Sequence, residues 1–276
     1  MWLSGNIKES EFESLSLCKR PPIMEVTVLG TGTSQGIPVI ACQCNVCLSS
    51  DALDKRLRTA VLLSHDGVNV CIDAGPDFRQ QMLANDVKQL DAVLITHGHK
   101  DHTGGLDDVR AFNWVQKKPM DIFARKQVLD IVMREFPYAF GKNKYPGAPQ
   151  INLCQIPDNP FRIKGVGFTP IEAMHGQLPV VGFRIKDFSY LTDASYIADQ
   201  ELEKMKGSRV LILNALRREK HHSHFTLDEA IGIIQKLQPE QGYITHISHQ
   251  MGLHKDVQAS LPKNIFLAYD GLKIIL

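Results

Sequence analysis

From residue 24 onward, the chain consists largely of short apolar runs that end at glycine, proline or polar clusters, a pattern that predicts β-strands. Residues 26–29 form the first of these runs. Residues 59–63 and 68–72 predict a hairpin whose turn lies at Asp66 and Gly67. Residues 91–95 predict the next strand and lead directly into a segment rich in histidine.

Helical segments lie between the runs of predicted strands. Residues 77–85 and 227–237 predict helices, the latter with a capping box formed by Thr226 and Glu229. Residues 107–135 mix both patterns, and residues 136–150 contain three prolines and predict a long loop of the kind that often contacts substrates. The remaining predicted strands are residues 161–163, 166–171, 180–185, 189–191, 210–213, 242–245, 264–268 and 274–275. Strand runs with interspersed helices predict an α/β fold of two sheets with helices outside.

Length and composition indicate one large domain at residues 24–276, preceded by a poorly ordered extension at residues 1–23. Met24 directly precedes the first strand, so an upstream start that is not the natural one is an alternative. The net charge of +1 gives no general case for binding nucleic acid or membranes, and no apolar run approaches the roughly 20 residues of a membrane span. The first residues lack the basic head and apolar core of a secretory signal, so we expect a cytoplasmic protein.

The segment from Thr96 to His102 is the most informative part of the sequence. It places His97, His99, Asp101 and His102 within six residues, directly after an apolar strand. Imidazole nitrogen and carboxylate oxygen are ligands that zinc and manganese accept. A polar loop with exposed histidines is the alternative interpretation, but further residues of the same kinds occur downstream, which favours a metal site.

Four more polar residues follow short apolar strands: Asp73, His175, Asp193 and His246. Each alone would more often be structural, since an isolated aspartate at the end of a strand usually caps a turn. Ligands at strand ends are held rigidly, as metal coordination requires. Their joint occurrence with the histidine-rich segment therefore predicts a metal centre built from several strands.

A second cluster contains three of the six cysteines, Cys42, Cys44 and Cys47. In a protein without a secretory signal, such spacing favours metal binding over disulfides, although a redox role stays open. Three thiolates leave one position of a tetrahedral zinc site unfilled. The other cysteines are expected to be ordinary thiols, with Cys71 and Cys154 buried and Cys18 in the extension.

The glycine-rich loop at residues 30–36 lacks the spacing of a dinucleotide-binding fingerprint, and no clear helix follows it. We expect instead a tight turn that brings backbone N–H groups towards the predicted metal centre.

These residues give the chain a clear resemblance to the metallo-β-lactamase superfamily, whose hallmark is His-x-His-x-Asp-His followed by a distant His, Asp and His. The resemblance covers residues 24–276 and implies an αββα four-layer sandwich. More narrowly, the chain resembles the phosphonate-pathway cyclic phosphodiesterases, which hydrolyse phosphoribosyl cyclic phosphate. The narrower features are Gly30-Thr31-Gly32 with Gln35-Gly36, the cysteine cluster, His224, and the run from Thr245 to His249.

The resemblance implies two divalent metal ions, zinc or manganese, at the catalytic site and one structural zinc. The implied catalytic ligands are His97, His99 and His175 for the first ion, Asp101, His102 and His246 for the second, and Asp193 as a bridge. Asp73 would orient the ligand loop by hydrogen bonding. The structural zinc would be held by Cys42, Cys44, Cys47 and His249, with His254 as a weaker candidate for the fourth position.

The resemblance also implies that His224, which lies 22 residues before His246, donates a proton to the leaving group. Asp101 would orient it. For the neighbouring His221 and His222, a place in a charged surface loop and a functional role are equally good interpretations. Arg217 and Arg218 could contact phosphate, but solvated surface charges are the favoured interpretation.

The expected function is hydrolysis of a small cyclic or nucleotide-like phosphodiester by a metal-bound hydroxide, in a homodimer. The first alternative is an endoribonuclease of the tRNA 3′-processing type. It is disfavoured because the chain is nearly neutral and shows no basic, glycine-rich arm, for which 142–144 is a poor substitute. A thioester or lactam hydrolase of the same fold and a non-catalytic zinc-binding module are further alternatives.

Overall fold

The computed structural model describes residues 23–141 and 145–276 of the chain. The predicted extension, apart from Ile23, lies outside these ranges, as do Cys18 and residues 142–144. The division into an extension and one domain therefore stays a prediction. Within the described ranges, no helix is long and apolar enough to cross a membrane.

The described chain contains fourteen strands, which form two sheets of seven strands each. The strands are β1 (Met24–Gly30), β2 (Ala60–His65), β3 (Val68–Ile72), β4 (Ala92–Leu94), β5 (Met120–Ala124), β6 (Ile151–Gln155), β7 (Phe161–Ile163), β8 (Val166–His175), β9 (Leu178–Ile185), β10 (Phe188–Leu191), β11 (Val210–Asn214), β12 (Gln241–Thr245), β13 (Ile265–Leu267) and β14 (Lys273–Ile275). The first sheet has the order β14-β1-β2-β3-β4-β5-β6, and the second β13-β12-β11-β10-β9-β8-β7. Each sheet is partly parallel: β3 to β6 in the first, β10 to β13 in the second.

The described residues form eight α-helices. They are α1 (Asn45–Leu48), α2 (Phe78–Ala84), α3 (Lys100–Thr103), α4 (Arg110–Gln116), α5 (Lys126–Glu135), α6 (Asp199–Met205), α7 (Leu227–Leu237) and α8 (His254–Ser260). Four short 3-10 helices complete the regular structure: Ala52–Asp54, Leu106–Val109, Pro137–Ala139 and His249–Met251.

Three apolar cores separate the layers. One lies between the two sheets and contains large buried side chains such as Phe168, Phe183 and Tyr190. A second packs α2, α4 and α5 against the outer face of the first sheet, and a third packs α6, α7 and α8 against the second sheet. The order of layers is therefore helix, sheet, sheet, helix, and the predicted αββα sandwich is confirmed.

Several predicted local features are confirmed in detail. The β2–β3 turn has Asp66 and Gly67 at φ 52° and 74°, the left-handed pair typical of a tight hairpin. At the start of α7, the Thr226 hydroxyl accepts a hydrogen bond from Glu229 N (3.2 Å), while Thr226 N donates to the Glu229 carboxylate (2.9 Å). Strand β8 is longer than predicted and continues to His175, where it pairs with Leu178.

The prediction that Cys154 is buried is wrong, because β6 is the edge strand of the first sheet and leaves this thiol half-exposed. Cys71 is buried as predicted. The cause is topological, since the sequence around Cys154 does not reveal which strand ends the sheet.

One end of the sandwich collects the predicted ligands. Strands β3 and β4 of the first sheet end there, as do β10 and β12 of the second. A hydrogen bond from Val181 N to Thr96 O (3.1 Å) joins the two sheets at this end. Because the carboxyl ends of parallel strands meet at one edge of a sheet, residues distant in sequence become neighbours.

Candidate metal centre

The loop after β4 turns sharply into the single-turn helix α3, so its alternate side chains point towards the same space. His97 is fully buried, and its Nε2 lies 3.1 Å from Nδ1 of His99, which is exposed. His175, at the end of β8, joins them: one nitrogen from each of the three rings lies within 4.8 Å of the others. The structure therefore brings together the three residues predicted for the first metal.

A second group contains Asp101, His102, Asp193 and His246, with one ligand atom of each within 4.8 Å of the others. His102 Nε2 lies 3.2 Å from Asp101 Oδ2 and 3.3 Å from Asp193 Oδ2. His246 Nδ1 lies 3.0 Å from the same Asp193 oxygen. Asp193 thus stands at the centre of this group, and it also lies in a cluster with His175, which connects the two groups.

Asp73 supports the loop from behind. Its buried carboxylate accepts hydrogen bonds from Thr96 N (2.9 Å) and from the Thr96 hydroxyl (3.0 Å), and it lies 2.7 Å from His102 Nδ1. The contacts expected of Asp73 are therefore present. A carboxylate on one ring nitrogen fixes the tautomer and leaves the other nitrogen, Nε2, facing Asp101 and Asp193.

Three of the strand-end residues adopt left-handed backbone conformations that residues other than glycine rarely adopt. Asp73 has φ 68°, Asp193 φ 59° and His246 φ 56°. Such conformations cost free energy and persist where the surrounding structure requires them, often at functional sites. Here Asp193 and His246 contribute ligand atoms to the clusters, and Asp73 contacts His102.

Electrostatics favour neutral rings at His97 and His175 of the first group and charged side chains at His102 and Asp193 of the second. Burial lowers the pKa of His97 and of His175, which keeps their nitrogen lone pairs free. Burial also opposes charge on His102, but Asp73, Asp193 and Asp101 raise its pKa well above the usual range. Burial would likewise raise the pKa of Asp193, yet the facing His246 and His102 rings hold it well below that range. A metal ion bound here would displace the proton of His102.

The donor set fits a divalent metal. In the described part of the chain, His102 Nε2 and His246 Nδ1 are buried and make no hydrogen bond, although Asp193 Oδ2 is 3.3 Å and 3.0 Å away. Two atoms that bind the same zinc at about 2.0–2.1 Å with tetrahedral angles lie about 3.3 Å apart. The nitrogens of His102 and His246 and the Asp193 oxygen are therefore spaced like ligands of one metal ion, not like partners in a hydrogen bond.

His224 lies beside both groups. Its ring is 4.8 Å from that of His246 and 4.5 Å from that of His175, and its buried Nδ1 lies 3.9 Å from Asp193 Oδ1. Burial, followed by the neighbouring His246, lowers the pKa of His224 to about 2. The carboxylate within ion-pair distance of His224 is that of Asp193, whereas Asp101 contacts His102. The orienting role of Asp101 stays a prediction.

The cysteine cluster forms a separate group near the candidate metal centre. Cys42, Cys44 and Cys47 place their sulfur atoms 3.3, 3.4 and 3.6 Å from Nδ1 of His249. His254, the weaker candidate for the fourth position, instead lies with its Nδ1 3.0 Å from the Arg56 guanidinium. A backbone hydrogen bond from Cys47 lowers the pKa of Cys44 to about 6, which favours the thiolate that zinc requires.

Replacement of Cys44 by serine is expected to remove one zinc ion per chain and to lower the melting temperature, because this cluster connects the loop at residues 42–47 to the segment after β12. Elemental analysis and thermal unfolding would measure both effects. Cys154→Ser, in a half-exposed thiol outside the cluster, serves as the matched control. A wild-type protein that binds no zinc beyond the candidate catalytic site would contradict the prediction.

Sequence reasoning missed two groups that position the ligands. The Thr96 hydroxyl bonds to Asp73, and the backbone carbonyl of Ser223 lies 2.7 Å from His175 Nδ1. The threonine directly before the first histidine was a visible signal. The Ser223 carbonyl gave no signal in the sequence, because any residue at position 223 would supply a backbone carbonyl.

Comparison with known proteins places the fold in a family. The model of the β-lactamase superfamily domain matches residues 68–247, which include every residue of the two ligand groups. The chain belongs to the metallo-β-lactamase superfamily. The crystal structure of a diphosphatase from the PhnP family has 38% sequence identity to it and a TM-score of 0.85, covering 91% of this chain and 97% of that one.

Two further similarities limit what can be inferred about the substrate. An octanoyltransferase of Porphyromonas gingivalis is 42% identical over 92% of this chain but only 52% of its own length. The chain spans about half the length of the curated relatives it matches. The short form of human tRNase Z superposes with a TM-score of 0.65 at 20% identity, covering 91% of this chain and 98% of that one, which shows a shared fold.

Proposed function

We propose that the chain is a phosphodiesterase that hydrolyses a small cyclic or nucleotide-like phosphodiester at a site for two divalent cations. His97, His99 and His175 would hold one cation, and Asp101, His102 and His246 the other, with Asp193 between them. Bound cations would lower the pKa of water and stabilise the charge that develops on phosphate. The observation that carries the proposal is that His224 lies beside both ligand groups.

The remaining chemistry falls to His224, because the alkoxide that leaves a phosphodiester needs a proton. With its pKa lowered to about 2 by burial, the ring is neutral in the free site. The negative charge of a bound phosphodiester would oppose this lowering of the pKa. His224 is the proposed donor of the proton to the leaving group.

The comparisons favour a small phosphate-containing substrate over the alternatives. A solved relative that combines 38% identity with high coverage of both chains is a diphosphatase, whose name states that it acts on a phosphate-containing bond. The likeness to tRNase Z is one of fold, and the net charge of +1 offers little attraction for tRNA. The octanoyltransferase is about twice as long as the matched region, so its name does not establish the chemistry of that region. We further propose zinc or manganese at this site, a homodimer and a cytoplasmic location, as the resemblance implies.

Metal analysis combined with substrate turnover tests this function. We expect about three metal ions per chain, two catalytic and one structural, and turnover of bis(p-nitrophenyl) phosphate and of a phosphoribosyl cyclic phosphate. Chelation should abolish turnover, and added manganese or zinc should restore it. Cleavage of tRNA precursors without turnover of the small substrates would support the ribonuclease instead. Metal binding without hydrolysis of any phosphodiester would point to the thioester or lactam hydrolases or to a non-catalytic module.

A further inference from the structure

The end of the sandwich opposite the metal ligands is built from three hairpin turns. They connect β2 to β3, β7 to β8, and β9 to β10, and they surround an open pocket of about 680 Å³. Strands β3, β8 and β10 all run from these turns towards the ligand end, so the pocket and the metal centre are separated by the length of the strands. Nothing in the proposed reaction uses this pocket.

Positive charge dominates the pocket wall. Its lining includes Arg162, Lys164, Arg184 and Lys186, and one carboxylate, Asp66, whose side chain is 64% exposed. Lys164 is paired with Asp91 at 2.6 Å. Among residues 23–141 and 145–276, no carboxylate lies within 4.0 Å of the charged nitrogens of the other three cations. A chain with a net charge of +1 therefore concentrates uncompensated positive charge here.

A buried histidine holds one of these cations in place. His65 is 4% exposed, and its Nδ1 lies 3.2 Å from the carbonyl of Ile23. Nδ1 must donate in that contact, so Nε2 carries the lone pair and accepts a hydrogen bond from Lys186 Nζ at 2.6 Å. The ammonium group of Lys186 is thus fixed at the pocket wall. One of its three protons takes part in the hydrogen bond to His65, and the other two do not.

The backbone conformations at Lys164 and Lys186 indicate that the turns themselves do not require lysine at these positions. Lys164 and Lys186 have φ 47° and 51°, a left-handed conformation for which asparagine, aspartate and glycine are preferred. The third turn follows the preference with Asp66 and Gly67. At two of the three turns, the left-handed position is occupied by lysine, which is less favourable there and which places a positive charge at the pocket.

We propose that this pocket binds a small anion that carries a phosphate group with two or more negative charges. Lys186 and the guanidinium of Arg162, whose Nη1 already donates to Gly165 O at 2.6 Å, would provide charge-assisted hydrogen bonds, which are the strong ones for phosphate. The backbone leaves room for the ligand, since a Cβ atom added at Gly165 or Gly167 would meet no atom within 4 Å. The site is distinct from the metal centre and does not depend on the proposed function.

Inorganic pyrophosphate is the probe, because it carries the required charge. We expect its titration into the metal-loaded protein to shift the amide NMR signals of Gly165 and Gly167 in a saturable way. Lys186→Asn should weaken this binding at least about fivefold. Asparagine is preferred in a left-handed turn, so this variant should fold. Sodium chloride at matched ionic strength should not reproduce the shifts, and higher salt should weaken the binding.

Lys236→Asn is the matched control, because this lysine is exposed, paired with Asp199 and remote from the pocket. It should retain wild-type binding of pyrophosphate, and thermal unfolding should show that both variants are folded. Pyrophosphate also has access to the metal centre, so only the glycine signals report on the pocket. Glycine signals that stay unmoved, or shifts that survive Lys186→Asn unchanged, would overturn the proposal.

Discussion

Replacement of His224 by asparagine is expected to lower kcat about 10²- to 10⁴-fold while the metal content stays unchanged. The reason is that the ring lies within reach of the centre but makes no hydrogen bond through Nδ1 in the described structure, so it is available to a leaving group. The loss should be smaller for substrates with good leaving groups, such as nitrophenyl esters, because these need no proton to depart. Steady-state kinetics on a nitrophenyl and an alkyl phosphodiester would measure the difference.

His222→Asn is the matched control, since His222 belongs to the same segment but is exposed. It should retain most of the turnover. The cluster of His175, Asp193 and His224 leaves a second role for His224, that of a metal ligand. Loss of a metal ion from His224→Asn would establish that role and exclude the acid. Full turnover of the alkyl ester would exclude both.

Replacement of Asp193 by asparagine is expected to have the larger effect, with turnover reduced at least about 10³-fold and at least one metal ion lost. The Asp193 carboxylate lies within 3.3 Å of nitrogens on both His102 and His246, and an amide supplies no charge to balance the cations. Asparagine tolerates the left-handed conformation at this position, so the fold should be preserved. Elemental analysis and turnover of bis(p-nitrophenyl) phosphate would test both parts.

Asp199→Asn is the corresponding control. Asp199 has a 90% exposed side chain and is bound to Lys236 at the start of α6, remote from both ligand groups. This variant should keep its metals and its rate. An Asp193→Asn protein with unchanged metal content and turnover would remove the bridging role and, with it, the need for two cations at this site.

The fold could be predicted in outline because its strands are short, apolar and separated by clear turn signals. The hairpin at Asp66 and Gly67 and the capped helix α7 depend on local interactions, which the sequence reveals directly. Strand β6 and helices α6 and α8 escaped prediction, since packing against the sheets stabilises them more than any local pattern does. For the same reason, the half-exposure of Cys154 depends on sheet order alone.

The site could be predicted further than the fold, because metal chemistry restricts which residues serve. The histidines and aspartates that the sequence placed at strand ends do meet in the structure, as do the three cysteines and His249. The pocket at the opposite end could not be foreseen, because His65 and Lys186 are 121 residues apart and neither belongs to a motif. Nor could the Ser223 carbonyl beside His175, which depends on backbone position rather than residue type.

The left-handed conformations of Asp73, Asp193 and His246 have a consequence for protein engineering. Glycine adopts this backbone geometry without the penalty of about 1 kcal/mol or more that other residues incur. A sequence-design procedure that considers backbone strain alone would therefore favour glycine at all three positions. Such a design would lack two of the proposed metal ligands and the Asp73 carboxylate that contacts His102. These three side chains should be held fixed before any stabilised variant is sought.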